Sequence, residues 1–204
     1  MASDSPRLLR ADAARNAEKI IRAAREVFTE QGPDAHLDEV ARRAGVGAAT
    51  LFRRFPDKAA LLRAVLDARF AEHVRPVIRA AAGDPDPARA LARVLETALE
   101  SVAGDFNVLT AARAAGVLTP ATGEEFFAAL DVLLARGQRA GVLRADLVPD
   151  DLHRVVVMLM SVLWTMDPRE DGWRRYLGLV LDGLSPAGAR PLPCPAPVLR
   201  RHTS

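Results

Sequence analysis

Apolar residues recur at every third or fourth position along most of the chain, and no stretch alternates strictly enough to read as a strand. The first strong example is RNAEKIIRAAREVFTEQG. Ile20, Ala24, Val27, Phe28 and Gln31 share one side of a helix, while Arg15, Lys19, Arg22 and Glu26 occupy the others. Gly32-Pro33 stops it, the glycine as a left-handed cap and the proline as a residue that cannot continue the ladder. A second, shorter helix follows in LDEVARRA, with Leu37, Val40, Ala41 and Ala44 on its buried side and Asp38 and Glu39 placed to favour its N-terminal dipole. Beyond residue 57 comes a long amphipathic pattern, DKAALLRAVLDARFAEHVRPVIRAAAG, in which Pro76 should impose a kink. GDPDPA at 83–88 breaks it, and five more helical patterns follow: ARALARVLETALESVA, DFNVLTAARAAG, GEEFFAALDVLLARGQRAG, DDLHRVVVMLMSVLWTM and EDGWRRYLGLVLDGL. The fold class this predicts is all-α, with about nine helices in all.

The stretch GVGAATLFRRFPDK, residues 45–58, is the most informative. Gly45 suits the left-handed residue that ends one helix, and Gly47 can serve as N-cap of the next. Residues 48–54 then make a helix only two turns long, closed by Pro56, with Asp57 capping the helix beyond. So short a helix is marginal alone and needs Leu51 and Phe55, four residues apart, pinned by its neighbours. Its outer face is then rigid, small at one end and cationic at the other: Ala48, Ala49, Thr50, Phe52, Arg53 and Arg54. Two helices joined by a short Gly-containing turn, the second with such a face, have the features of a helix-turn-helix. Lys58, in the first turn of the next helix, is read as aimed at a phosphate.

Composition adds little and excludes some classes. The net charge of +2 is uninformative, but residues 1–63 carry 12 Lys/Arg against 9 Asp/Glu, so the excess is N-terminal. No apolar run reaches the roughly 18 residues of a membrane span, and the polar N-terminus does not read as a secretory signal, so no membrane partner is expected and a cytoplasmic location is. The single cysteine, Cys194, lies in the five-proline tail 186–204 and has no partner for an internal disulfide. Four scattered histidines show no metal-ligand spacing, and acidic pairs such as Glu124-Glu125 read as helix starts. No catalytic residue, metal or cofactor is expected.

Residues 15–62 resemble the N-terminal DNA-binding domain of the TetR family of bacterial transcription regulators. The resemblance rests on RNAEKIIRAAREVFTEQG, LDEVARRAGV and TLFRRFPDKAALL with their spacings intact. It implies a flexible basic arm at 1–14, a three-helix helix-turn-helix domain at 15–62, a larger helical dimerisation and ligand-binding domain at 63–185, and a Pro-rich tail at 186–204. It makes 48–54 the recognition helix and assigns Thr50 and Lys58 to the DNA backbone. Arg53 and Arg43 are candidates for base or near-base contacts, and Arg7 and Arg10 for the minor groove. Two positions depart from the family pattern: Phe52 stands where a tyrosine is usual, and His36 where a Ser/Thr cap is usual.

The implied partners are a double-stranded, roughly palindromic DNA operator, a second copy of the chain, and a small-molecule effector. A repressor released by a small lipophilic effector is the expected mode of action. For dimerisation, the last two helical patterns are apolar on more than one side, which nominates Leu152, Val156, Leu159, Leu163, Trp173, Leu177, Val180 and Leu181. For the effector, Phe106, Phe126, Phe127, Met158 and Trp164 are candidate lining residues, with Arg113 and His153 as polar contacts. The alternative reading is a helical small-molecule-binding or protein-interaction module that does not bind DNA.

Overall fold

The computed structural model describes residues 5–118 and 123–194, with side chains described from Ala14 onward. The described residues are helical and contain no strand. In chain order the helices are α1 (Ser5–Gln31), α2 (Leu37–Ala44), α3 (Ala48–Arg54), α4 (Lys58–Arg69), α5 (Arg75–Ala82), α6 (Pro87–Gly104), α7 (Phe106–Ala114), α8 (Glu124–Arg139), α9 (Pro149–Val162) and α10 (Trp173–Leu184). A π-helical turn, Phe70–Val74, runs from α4 into α5 without a loop, which leaves nine separate helical runs among the described residues.

That π turn is the chain's answer to Pro76. The proline has no N–H and its ring crowds the carbonyl four residues back, at Glu72, so the expected kink takes the form of a widened turn just upstream. The N-terminal arm differs more from expectation. Residues 1–4 lie outside the described residues, but α1 already begins at Ser5. Pro6 falls in the first turn, where a missing N–H costs nothing, and leucines and alanines follow it. The side chains of Arg7 and Arg10 are outside the described residues.

The chain divides into two compact units. The first takes residues 1–69 together with 105–119, and the second takes 70–104 together with 120–204. In the first unit α1, α2, α3, α4 and α7 enclose one apolar core. Ile20, Ala24, Val27 and Phe28 contribute to it from α1, Val40 and Ala41 from α2, Leu51 and Phe55 from α3 and its end. Leu61, Leu62 and Val65 come from α4, and Val108, Ala111 and Ala112 from α7. Gln31, placed on the buried side by the sequence pattern, is exposed. The boundary expected at 62/63 falls within α4, and residues 105–118, expected in the C-terminal domain, group with the first unit.

Asp105, just before α7, is the one charged residue buried among those described, at 8% exposure. It is neutralised in place: Arg69, the last residue of α4, is in direct contact with its Oδ2, and Arg25 Nε of α1 lies 3.4 Å from both carboxylate oxygens. A buried carboxylate without such partners would be costly.

In the second unit α6 is central. Its buried positions, Ala90, Leu91, Val94, Leu95, Ala98 and Leu99, follow the helical repeat and meet α5, α8, α9 and α10. Arg136 of α8 donates to the carbonyls of Ala81 and Ala82 at 2.9 and 3.1 Å, satisfying the open end of α5. Of the tail, only residues up to Cys194 are described. Arg144 donates to the Arg190 carbonyl at 2.7 Å, and Cys194 is exposed.

The first unit's core is expected to depend on Leu51, whose side chain is fully buried. Leu51→Ala should lower the unfolding free energy by about 3 kcal/mol through lost burial and the cavity left behind. Chemical denaturation followed by far-UV circular dichroism measures this, and an unchanged midpoint would contradict the packing described.

Candidate nucleic-acid interface

Helix α3 occupies residues 48–54, as the sequence pattern expects. Its geometry follows from the turn before it. Gly45 adopts a left-handed conformation at φ +67°, and its N–H reaches the Arg42 carbonyl at 3.2 Å while that of Val46 reaches Ala41 at 3.0 Å. A Cβ would be disfavoured in that conformation. Gly47 is extended, and its carbonyl accepts the N–H groups of Thr50 (2.9 Å) and Leu51 (3.2 Å), starting the helix. At the other end, the Asp57 carboxylate accepts the Ala60 N–H at 2.6 Å and starts α4. The whole segment is therefore fixed by backbone geometry at both ends.

With 3.6 residues per turn, Ala49 and Arg53 lie opposite the buried Leu51, and Thr50 and Phe52 flank them. Burial agrees. Ala48, Ala49, Phe52, Arg53 and Arg54 are exposed, Thr50 is half-buried, and Phe52 keeps 45% of its surface open to solvent. An aromatic ring left open beside two arginines and two alanines offers apolar contact, charge and close approach on a single short face. His36 occupies the N-cap position of α2 in an extended conformation, and its ring makes no capping hydrogen bond.

Two residues expected at the interface are otherwise engaged. Lys58 Nζ donates to the carbonyls of Pro33 (2.5 Å) and Ala35 (2.8 Å) and sits 5.6 Å above the Phe28 ring. It ties the loop before α2 to α4; the sequence could not show this because those carbonyls are 25 and 23 residues away. Arg43 is held by Glu30 of α1 through bonds of 2.6 and 2.9 Å and approaches Glu39 at 3.4 Å, with 26% of its side chain exposed. Arg43's hydrogen bond draws the Glu30 carboxyl below its usual range, so the pair is ionised at neutral pH. That contribution is complete above the usual carboxylate range and is lost only as pH falls through the lowered value.

The residues expected to line an effector site are divided between the two units. Phe106 and Arg113 lie on α7, in the first unit. In the second unit, the Phe127 ring lies 4.5 Å from that of His153 at a tilt of 48°, and His153 Nε2 is 2.9 Å from Asp131 Oδ1. Met158 is 62% exposed, and Trp164 is half-buried in a turn after α9. Phe126 does line an apolar seam between α6, α8 and α9, with Leu95, Ala98, Leu99, Val156, Leu159 and Met160. The seam spans about 170 Å³ of space between atoms and leaves no room for a water molecule.

Most of the dimer candidates are buried within the chain itself. Leu152, Val156, Leu159, Leu163, Trp173 and Leu177 are buried in the second unit's own core, and Val180 and Leu181 are half-buried. The apolar residues that α9 and α10 leave open are others: Val157 (61%), Met158 (62%), Tyr176 (43%) and Leu179 (58%). Two faces of each helix were apolar in sequence, and the pattern did not say which one the chain keeps for itself.

A helix-turn-helix with an open cationic second helix, followed by a larger helical unit, defines a DNA-binding transcription regulator. The family model described as "Bacterial regulatory proteins, tetR family" matches residues 20–65, and that of the "Transcriptional regulator SbtR-like, C-terminal domain" matches residues 62–186. The chain belongs to the TetR family of bacterial transcription regulators. It is 34% identical to the TetR transcription regulatory protein from Mycobacterium vanbaalenii, over 87% of this chain and 99% of that one, with a TM-score of 0.58. It is 29% identical to the TetR transcriptional regulator SCO0520 from Streptomyces coelicolor, over 83% and 98%, with a TM-score of 0.57. The HTH-type transcriptional regulator Rv2250c of Mycobacterium tuberculosis is 28% identical over 74% of this chain and 79% of its own.

The engagement of Lys58 with two carbonyls has a direct consequence. Lys58→Met keeps the apolar stem and removes both hydrogen bonds, so stability should fall by about 1 kcal/mol. The salt dependence of duplex binding should stay as in the wild type. A shallower salt slope with unchanged stability would return Lys58 to the DNA backbone.

Proposed function

We propose that this regulator is a repressor that acts as a homodimer on a roughly palindromic operator and is released by a small lipophilic effector. The observation that carries the DNA half of this reading is the α3 face, where Ala49, Thr50, Phe52, Arg53 and Arg54 stand on a helix held rigid from behind by Leu51 and Phe55. Small residues permit close approach to base edges. Arg53, opposite the buried side, is the group suited to bidentate contact with guanine, and Phe52 to the methyl group of thymine. Thr50, Ala48 and Arg54 serve the sugar–phosphate backbone around it.

Dimerisation is supported by the open apolar residues of α9 and α10, with Val157, Met158, Tyr176 and Leu179 as its centre. Side chains of this size standing 43–62% exposed on neighbouring helices are what a self-complementary interface covers. Two copies related by a two-fold axis would present two α3 helices to half-sites one helical turn apart, or a multiple of it. The effector reading is supported by the seam lined by Leu95, Phe126, Val156 and Leu159, which is apolar throughout and so suits a lipophilic molecule that opens it. Among the described residues no helix is long and apolar enough to cross a membrane, and a cytoplasmic location fits a protein that reads DNA.

Selection of duplexes from a random pool tests this, followed by binding at graded salt with the wild type and with Arg53→Ala. The selected sequences should be inverted repeats bound by two chains. Arg53→Ala should lose about 1–3 kcal/mol of discrimination at one position in each half-site. Failure of the wild type to bind any selected duplex in a salt-dependent way would refute the reading.

A further inference from the structure

The last turn of α2 leads straight into the turn before α3, and its two arginines are both neutralised. Glu39 accepts two hydrogen bonds from Arg42, from Nε at 2.9 Å and from Nη2 at 2.6 Å. Its Oε1 also lies 3.4 Å from Nη2 of Arg43, whose other side is taken by Glu30. Two guanidinium groups and two carboxylates thus cancel where α2 ends. Arg53 and Arg54, on α3, have no carboxylate partner among the described residues.

The two neutralised arginines differ. Arg43 is bridged from two helices and is 26% exposed, so its pairing fixes α2 against α1. Arg42 pairs with Glu39 inside a single helical turn, and its side chain is 72% exposed. It is therefore a solvent-facing cation whose Nε–Nη2 edge is taken by one carboxylate. In a helix-turn-helix the first helix crosses the sugar–phosphate backbone while the second enters the groove. A phosphate approaching the Nε–Nη2 edge of Arg42 must displace a bidentate carboxylate, and from any side it meets that carboxylate's negative charge. The Arg42 hydrogen bond also draws the Glu39 carboxyl below its usual range.

We infer that Glu39 is a brake on sequence-independent binding: it withholds Arg42 from the DNA backbone, so that discrimination is left to α3. Phosphate contacts add affinity for every sequence alike, so a protein that carries one fewer binds all duplexes more weakly by the same factor and spends less time on non-specific DNA. Glu39 would then set how tightly the protein holds DNA of any sequence, without touching a base. This inference rests on the DNA-binding reading above.

Its test uses the full-length protein and a duplex of mixed sequence, with affinity measured over a fourfold range of salt. Four proteins are compared: wild type, Glu39→Gln, Arg42→Ala and the double variant, each checked for an unchanged thermal midpoint, with Glu39→Ala as a second removal of the carboxylate. Glu39→Gln should bind more tightly, with a slope of log affinity against log salt steeper by about 0.9, so its advantage changes about 3.5-fold across that range. Arg42→Ala alone should match the wild type, and in the double variant the steeper slope should disappear.

An unchanged slope in Glu39→Gln would overturn the inference. So would a gain that persists in the double variant, since that reports only the loss of a negative charge near DNA. A wild type that loses affinity on Arg42→Ala would overturn it too, because Arg42 would already be on the phosphate. If the wild type shows no salt-dependent binding at all, the DNA-binding reading itself falls, a result distinguishable from the others.

Discussion

The burial of Leu51 and Phe55 is the constraint on which the rest of the DNA-binding unit depends. A seven-residue helix cannot hold itself together in water, because nucleation costs more than so few hydrogen bonds return. Here the two apolar side chains lock it to a core shared by α1, α2, α4 and α7, and the left-handed Gly45 and the Asp57 cap set where it starts and stops. Because one side is fixed so firmly, the opposite side can be small, cationic and open to solvent. Those properties are what a surface that enters a groove of DNA requires.

The second theme is how the chain spends its arginines. A basic N-terminal region suggests a cationic surface, yet many of these charges are used internally. Arg25 and Arg69 neutralise Asp105, Arg43 fastens α2 to α1, and Lys58 holds the loop before α2. Arg42 is closed off by Glu39. Arg53 and Arg54 remain as the exposed cations of α3. Charge counted along a sequence is thus a poor guide to charge available to a ligand, since carboxylates and carbonyls can be dozens of residues away in the chain.

How much was legible before folding follows from the same distinction between local and distant information. The limits of α3, the left-handed Gly45, the Asp57 cap and the roles of Leu51 and Phe55 all arise from neighbours in sequence, and the pattern showed them. The placement of α7 did not. Its pattern marked a helix, but nothing in it said that Val108, Ala111 and Ala112 complete the core beneath the helix-turn-helix. The same limit explains the dimer candidates: α9 and α10 are apolar on two sides, and periodicity alone gives no reason to prefer Val157 and Leu179 over Val156 and Leu177 as the open ones. The flexible arm at 1–14 was expected from the resemblance, and within the described residues α1 already begins at Ser5.

The most direct measurement of the central claim is amide hydrogen exchange of the full-length protein with and without a duplex that it binds. If the open face of α3 is the surface that meets DNA, the strongest new protection should fall on the peptide covering residues 45–58, with the core positions of α1 and α4 unchanged because they are already protected. Protection that appears elsewhere while residues 45–58 exchange as before would contradict the account.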